Sequence, residues 1–157
     1  MPHSLTKIWI HAVLETKFRQ PLIVPRISDD LFHHIKKHLE DDFNCRVRII
    51  NGTADHVHIL FLLNANYSLK DIMKNVKGES SHWINHKKNQ KNKFEWQVGY
   101  GTFSVSESGV DTVERYIAYQ KEHHRKKTFL EEYEEYMNMH GLVYMPETAQ
   151  MLSDEMD

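Results

Sequence analysis

With one cysteine in 157 residues, Cys45, the chain can have no internal disulfide and no zinc knuckle built on paired thiolates. Six glycines and four prolines, with no biased tract, exclude a collagen-like, solenoid or low-complexity chain. No apolar run approaches the ~20 residues that a membrane span requires. The N-terminus MPHSLTKIWI has no basic segment followed by an apolar stretch and a small-residue cleavage site, so a soluble, cytoplasmic protein is expected, with no membrane partner. What is present is a core: 40% of residues are hydrophobic, with three Trp, seven Tyr and seven Phe, enough for one domain.

The net charge of −2 is unevenly spread. Residues 1–69 carry 8 Lys/Arg against 7 Asp/Glu, residues 70–127 carry 12 against 7, and residues 128–157 carry none against 8. A basic middle followed by an acidic end can present a local phosphate-binding face, although a solvated mixture of charges is the commoner meaning of such counts. A domain over residues 1–142 with an acidic tail over 143–157 is the expected organisation. Twelve histidines are a second departure from average composition.

Hydrophobic periodicity predicts the order β-α-β-β-α-β-α-α. LTKIWIHAVLE (5–15) alternates as a strand, with Ile8, Ile10 and Leu14 on one face and Trp9, His11 and Val13 on the other. Ser28 and Asp29 are candidate caps for a helix to about Asp42 that spaces Leu31, Phe32, Ile35 and Leu39 at helical intervals. CRVRII (45–50) reads as a strand, Asn51-Gly52 as a hairpin turn, and HVHILFLL (56–63) as a strand apolar on both faces, which belongs inside a sheet. Ser68 begins a helical pattern that reaches Trp83 and Ile84 and gives way to the polar run HKKNQKNK (86–93). FEWQVGYGTFSVS (94–106) is a strand bent at Gly99 and Gly101, and Ser108 with Asp111 has capping-box spacing ahead of a helix to about Lys126. A last helix spans about Thr128 to His140, stopped by Gly141. The first six elements form the split βαβ pattern of a ferredoxin-like α+β fold, an antiparallel sheet with helices on one face, to which the C-terminal helices are added.

His56 and His58 stand two apart on the most hydrophobic strand, so both imidazoles leave the same face, ~7 Å apart along it. Burying them without partners costs several kcal/mol. Either a divalent metal satisfies them, as a pre-organised half-site, or each bonds a carboxylate or a backbone carbonyl. In the helix expected over 109–126, Val113, Tyr116, Ile117, Gln120 and His124 fall on one stripe. Tyr116 and Gln120 therefore share a neighbourhood, and Gln120 could supply a third ligand. By spacing alone the favoured reading is that Tyr116 is a core aromatic with its hydroxyl at the rim and Gln120 ordinary helix surface.

Three segments together carry a resemblance: Ala54-Asp55-His56-Val57-His58-Ile59-Leu60, then Trp96-Gln97-x-Gly99-Tyr100-Gly101-x-Phe103-Ser104-Val105-Ser106, then Val113-Glu114-Arg115-Tyr116-Ile117-x-x-Gln120-x-x-His123-His124-Arg125. They resemble the single-tyrosine HUH transposases of the bacterial insertion sequence 200-like group, relatives of the REP-associated tyrosine transposases, over roughly residues 5–142. The resemblance implies that His56 and His58 are metal ligands with Gln120 the third, that Tyr116 is the nucleophile, and that the cofactor is a divalent metal, Mg²⁺ or Mn²⁺. It also implies single-stranded or hairpin DNA as substrate, a 5′-phosphotyrosine intermediate and a homodimer. Tyr119, Tyr133 and Tyr136 match no nucleophile position of the family. Lys121, His124, Arg125, Lys126 and Lys127 follow the tyrosine, and Lys87 and Lys88 lie in the polar run; near Trp83 and Trp96 in sequence, they are candidates for phosphate contact and base stacking. A domesticated enzyme nicking chromosomal repeats, or a hairpin-binding module without catalysis, is compatible with the same sequence.

Overall fold

The computed structural model describes residues 4–87, 90–120 and 129–141. Four strands, β1 (Trp9–Glu15), β2 (Arg46–Gly52), β3 (His56–Leu62) and β4 (Gly101–Val105), form one antiparallel sheet in the order β2-β3-β1-β4. Helices α1 (Pro25–Phe43) and α2 (Leu69–Lys87) cover one face. Helices α3 (Val110–Ala118) and α4 (Phe129–Met139) bring their buried residues to the other.

Alternation in the two inner strands makes this division. Ile10, Ala12 and Leu14 of β1 and Val57, Ile59 and Phe61 of β3 pack with Ile27, Leu31, Ile35, Leu39 and Phe43 of α1 and Ile72, Met73, Val76 and Ile84 of α2. On the opposite face Trp9 and Leu60 meet Val110, Val113, Tyr116 and Ile117 of α3 and Met137 of α4. His11, His56 and His58, all buried, have the parity of this second face. The strand expected to lie inside the sheet does so, between β2 and β1.

Several local expectations are corrected. α1 begins at Pro25, not at Ser28, because proline at the first helical position needs no N–H partner and restricts Val24 to extended backbone (φ −73°, ψ 153°). Asn51 and Gly52 are not the hairpin turn; they complete β2, and the chain reverses through residues 53–55, where Thr53 N–H donates to the His56 carbonyl at 2.9 Å. The strand expected over 94–106 is regular only from Gly101, and Trp96 reaches the sheet through a single bridge to Thr16. Ser108 does not cap α3: it lies in a 3-10 turn, Glu107–Gly109, and Gly109 holds the cap position. α4 ends before Gly141, which takes the left-handed conformation (φ 70°) the sequence anticipates. The stretch 121–128 and the acidic tail lie outside the described residues.

α3 is anchored to the sheet at several points. Trp9 Nε1 donates to Glu107 at 2.6 Å just ahead of it, and Arg48 of β2 reaches Glu114 at 2.8 Å and Asp111 at 3.2 Å. The Asn51 side-chain amide donates to the carbonyls of Ile117 and Ala118 at 3.0 and 3.2 Å, satisfying acceptors that the helix end would otherwise leave open.

Candidate active site

β3 delivers His56 and His58 to the same face, with ring centroids 5.1 Å apart. Gly52 permits this arrangement by closeness, since a Cβ there would stand 2.2 Å from the His56 carbonyl oxygen. Around His56, the Asp55 carboxylate accepts from Nδ1 at 2.7 Å, and the Thr53 hydroxyl lies 3.0 Å from the same carboxylate oxygen and 2.9 Å from the ring nitrogen. Burial raises the Asp55 pKa, but the His56 bond, the Arg19 charge at 3.5 Å and Thr53 outweigh it and bring it down to about 2. Asp55 is thus ionised at neutral pH and fixes the proton of His56 on Nδ1, leaving the Nε2 lone pair available. Gln120 Nε2 donates to that lone pair at 3.1 Å.

His58 is held by a histidine of the neighbouring strand. Its Nδ1 is 2.8 Å from Nε2 of His11 on β1, and His11 Nδ1 is 2.8 Å from Nε2 of His140, just after α4. Burial and the neighbouring histidines His11, His56 and His140 keep His58 well below its ordinary pKa. Burial and His140 lower His11 to about 3, and burial lowers His140 to about 4. These rings are therefore neutral imidazoles, the form that coordinates metal. The Tyr116 ring stands edge-on to His58 with centroids 5.6 Å apart and lies 6.4 Å from His11.

Of the residues singled out by sequence, His56, His58, Tyr116 and Gln120 come together, all buried. Tyr119 is 61% exposed, in keeping with a position off the stripe. Lys87 is exposed at the end of α2, in the helical layer across the sheet from the imidazoles, so it is not brought to them. Lys88, Lys121, His124, Arg125, Lys126 and Lys127 lie outside the described residues. Sequence reasoning missed His11, His140, Asp55 and Thr53 as partners of the pair. His11 did carry a signal, being a histidine on the same face of a strand as Trp9 and Val13.

The donors fit a divalent cation. Two imidazoles sharing one ion at about 2.1 Å put their centroids about 5 Å apart, which matches His56 and His58. Rotating the terminal amide of Gln120 exchanges nitrogen for oxygen and would offer a neutral third donor. Among the described residues no group of three or more His, Cys, Asp or Glu side chains is arranged to hold a metal, so the amide is an essential part of any such set.

The family model described as "Transposase IS200 like" matches residues 4–120, a span that contains the sheet, α3, both histidines, Tyr116 and Gln120. The chain belongs to this transposase family. A candidate transposase from Deinococcus radiodurans R1 shares the fold with a TM-score of 0.58 and 22% identity, over 74% of this chain and 93% of that one. A REP-associated tyrosine transposase, solved bound to a REP hairpin, has a TM-score of 0.51 and 13% identity, over 74% of this chain and 67% of its own. No curated protein matches the chain. A DNA-processing role follows from the family, and among the described residues no helix is long and apolar enough to cross a membrane.

Proposed function

We propose that this transposase nicks and rejoins single-stranded DNA next to hairpins, through a 5′-phosphotyrosine on Tyr116, using a divalent cation held by His56, His58 and Gln120. The observation that supports it most is the 3.1 Å approach of Gln120 to His56 Nε2, which joins the turn after the tyrosine helix to the histidine strand. Two neutral imidazoles and an amide oxygen leave the charge of a bound Mg²⁺ or Mn²⁺ undiminished, so the ion would polarise a non-bridging phosphate oxygen and stabilise transition-state charge.

The chain's own residues supply the rest. Asp55 fixes the His56 tautomer, and His11 holds His58. Val113 and Ile117 pack the stripe that orients Tyr116. The phenol oxygen attacks phosphorus, the bond from phosphorus to the 3′-oxygen breaks, and the proton lost by the phenol is balanced by the one gained at the leaving 3′-hydroxyl. The phosphotyrosine conserves the phosphodiester for joining to another end, which hydrolysis by water would not do. Lys87, Lys88, Lys121, His124, Arg125, Lys126 and Lys127 are proposed phosphate contacts, and a homodimer is the proposed assembly.

Incubation with labelled single-stranded hairpin DNA and Mn²⁺ tests this reading. A covalent protein–DNA band is expected from the native chain and none from Tyr116→Phe, with hairpin binding retained because the ring still packs. Tyr119→Phe should leave the band unchanged. A band that survives Tyr116→Phe would overturn the assignment.

A further inference from the structure

The turn that follows β1 contains an unusual pair of residues. Phe18 and Arg19 both have positive φ, 56° and 54°, a region that bulky L-residues rarely adopt. The turn is nevertheless tightly held. Thr16 Oγ1 donates to the carbonyls of Gln20 and Asp55 at 2.7 and 3.1 Å, Lys17 N–H donates to Glu95 O at 3.0 Å, and Phe18 N–H donates to Gln97 Oε1 at 3.1 Å. This anchoring does not bury the aromatic ring: Phe18 is 75% exposed. Lys17 Nζ stands 5.5 Å from its ring centroid.

The turn adjoins the candidate site. Glu15, its last strand residue, pairs with His56, and Thr16 N–H donates to the Asp55 carbonyl at 2.9 Å. Arg19 reaches the Asp55 carboxylate at 3.5 Å, the same group that fixes His56. A rare backbone conformation maintained by several hydrogen bonds, which presents an apolar ring to water beside a reactive centre, is the pattern of a functional clamp rather than of packing.

We propose that Phe18 is a stacking platform for an unpaired nucleobase in the single-stranded DNA flanking the bond to be cut, with Lys17 contributing charge toward the backbone of the same strand. This rests on the proposed action on single-stranded DNA. An aromatic face suits any base, so Phe18 would contribute affinity and position the strand, leaving sequence choice to other groups.

The test uses the full chain in EDTA, so that no cleavage occurs, and a hairpin oligonucleotide with a single-stranded flank carrying 2-aminopurine at successive positions. With the native chain, the fluorescence of 2-aminopurine should be quenched at one flank position. Phe18→Asn should abolish that quenching and weaken flank-dependent binding by about 5- to 150-fold, the range for losing one aromatic–base stack. Phe18→Trp should restore both.

Thermal melting supplies a readout that a structural ring would not give. Asn tolerates positive φ better than Phe, so Phe18→Asn should melt at the same temperature as the native chain or a few degrees higher while binding worse. If Phe18→Asn binds the flanked hairpin as well as the native chain does, the platform is excluded and the action on single-stranded DNA stands. An equal loss of binding to a blunt hairpin with no flank would also exclude base stacking. If the native chain itself does not distinguish flanked from blunt hairpins, the single-strand reading fails with it.

Discussion

Nε2 of His11 lies 2.8 Å from Nδ1 of His58, so that nitrogen of His58 is already engaged by another imidazole. Three neutral rings in series, His58, His11 and His140, admit two proton orders. When each Nδ1 carries the proton, His58 keeps its Nε2 lone pair and can be a ligand; in the reverse order Nε2 is protonated and cannot. A metal bound at His58 Nε2 would therefore select one tautomer along the whole series. Replacing His11 by Ala should weaken Mn²⁺ binding about 10- to 100-fold, the usual effect of losing a ligand's outer partner, while His11→Gln should recover part of it. Calorimetric titration with Mn²⁺ checks this, and equal affinities would show that the series does not act on the site.

Gly52 provides a test of how β2 and β3 are joined. Gly52→Ala sets a methyl group against the His56 backbone, which has no flexible side chain to yield, and should destabilise the chain by about 1–3 kcal/mol. A methyl group at Gly78, in α2, would meet nothing within 4 Å, and Gly78→Ala should stabilise by about 0.5–1 kcal/mol. Urea midpoints of the two variants should move in opposite directions.

Stability should fall in mild acid in part through His140. Burial lowers its pKa from 6.5 to about 4, so between these values the unfolded chain binds the proton and the folded chain does not. The contribution is complete above pH 6.5 and is lost as pH falls toward 4. His140 faces His11 of β1 and stacks on Phe103 of β4 at 4.5 Å; His11, lowered to about 3, acts in the same sense and is kept in the variant. His140→Gln should consequently lose less stability than the native chain between about pH 7 and about pH 5, as read from urea midpoints.

The basic run after Gln120 gives a prediction that rests on sequence charge. Replacing Arg125, Lys126 and Lys127 together with Ala should weaken hairpin binding and flatten its dependence on salt, by about 0.7 to 0.9 in log–log slope for each of the three that neutralises a phosphate. Binding measured across a salt series decides it, and an unchanged slope would move the DNA face elsewhere.

The order of elements, the inner position of the His56 strand and the shared face of its two histidines are legible in the sequence because each follows from a short period: alternation along strands and three-to-four spacing along helices. Tyr116 and Gln120 are legible as neighbours from helical spacing, although α3 ends at Ala118 and Gln120 reaches His56 from the turn beyond it. The start of α1 is misleading because Ser28 looks like a cap, while the fixed φ of Pro25 has already begun the helix. The role of His11 is not legible, because it depends on the β1–β3 register, which sets His11 opposite Leu60 and diagonal to His58. His140 comes from still further along the chain, and no local pattern shows which ring it will meet. The conformation of the turn at Phe18 is not legible either, since positive φ at a phenylalanine leaves no mark in the sequence.

Because the sheet separates the two apolar clusters, they need not open together. Among the described residues, the face covered by α1 and α2 buries many more large side chains than the face covered by α3 and α4. Local opening costs least where the least apolar surface is buried. Amide hydrogen exchange in native conditions should therefore find α3 opening at lower free energy than α1 and the inner strands. In that partly open species the histidine strand stays folded while Tyr116 and the turn after it detach. The protein would thus possess a reversible state in which its histidine pair is exposed to solvent while the bulk of the fold stays intact.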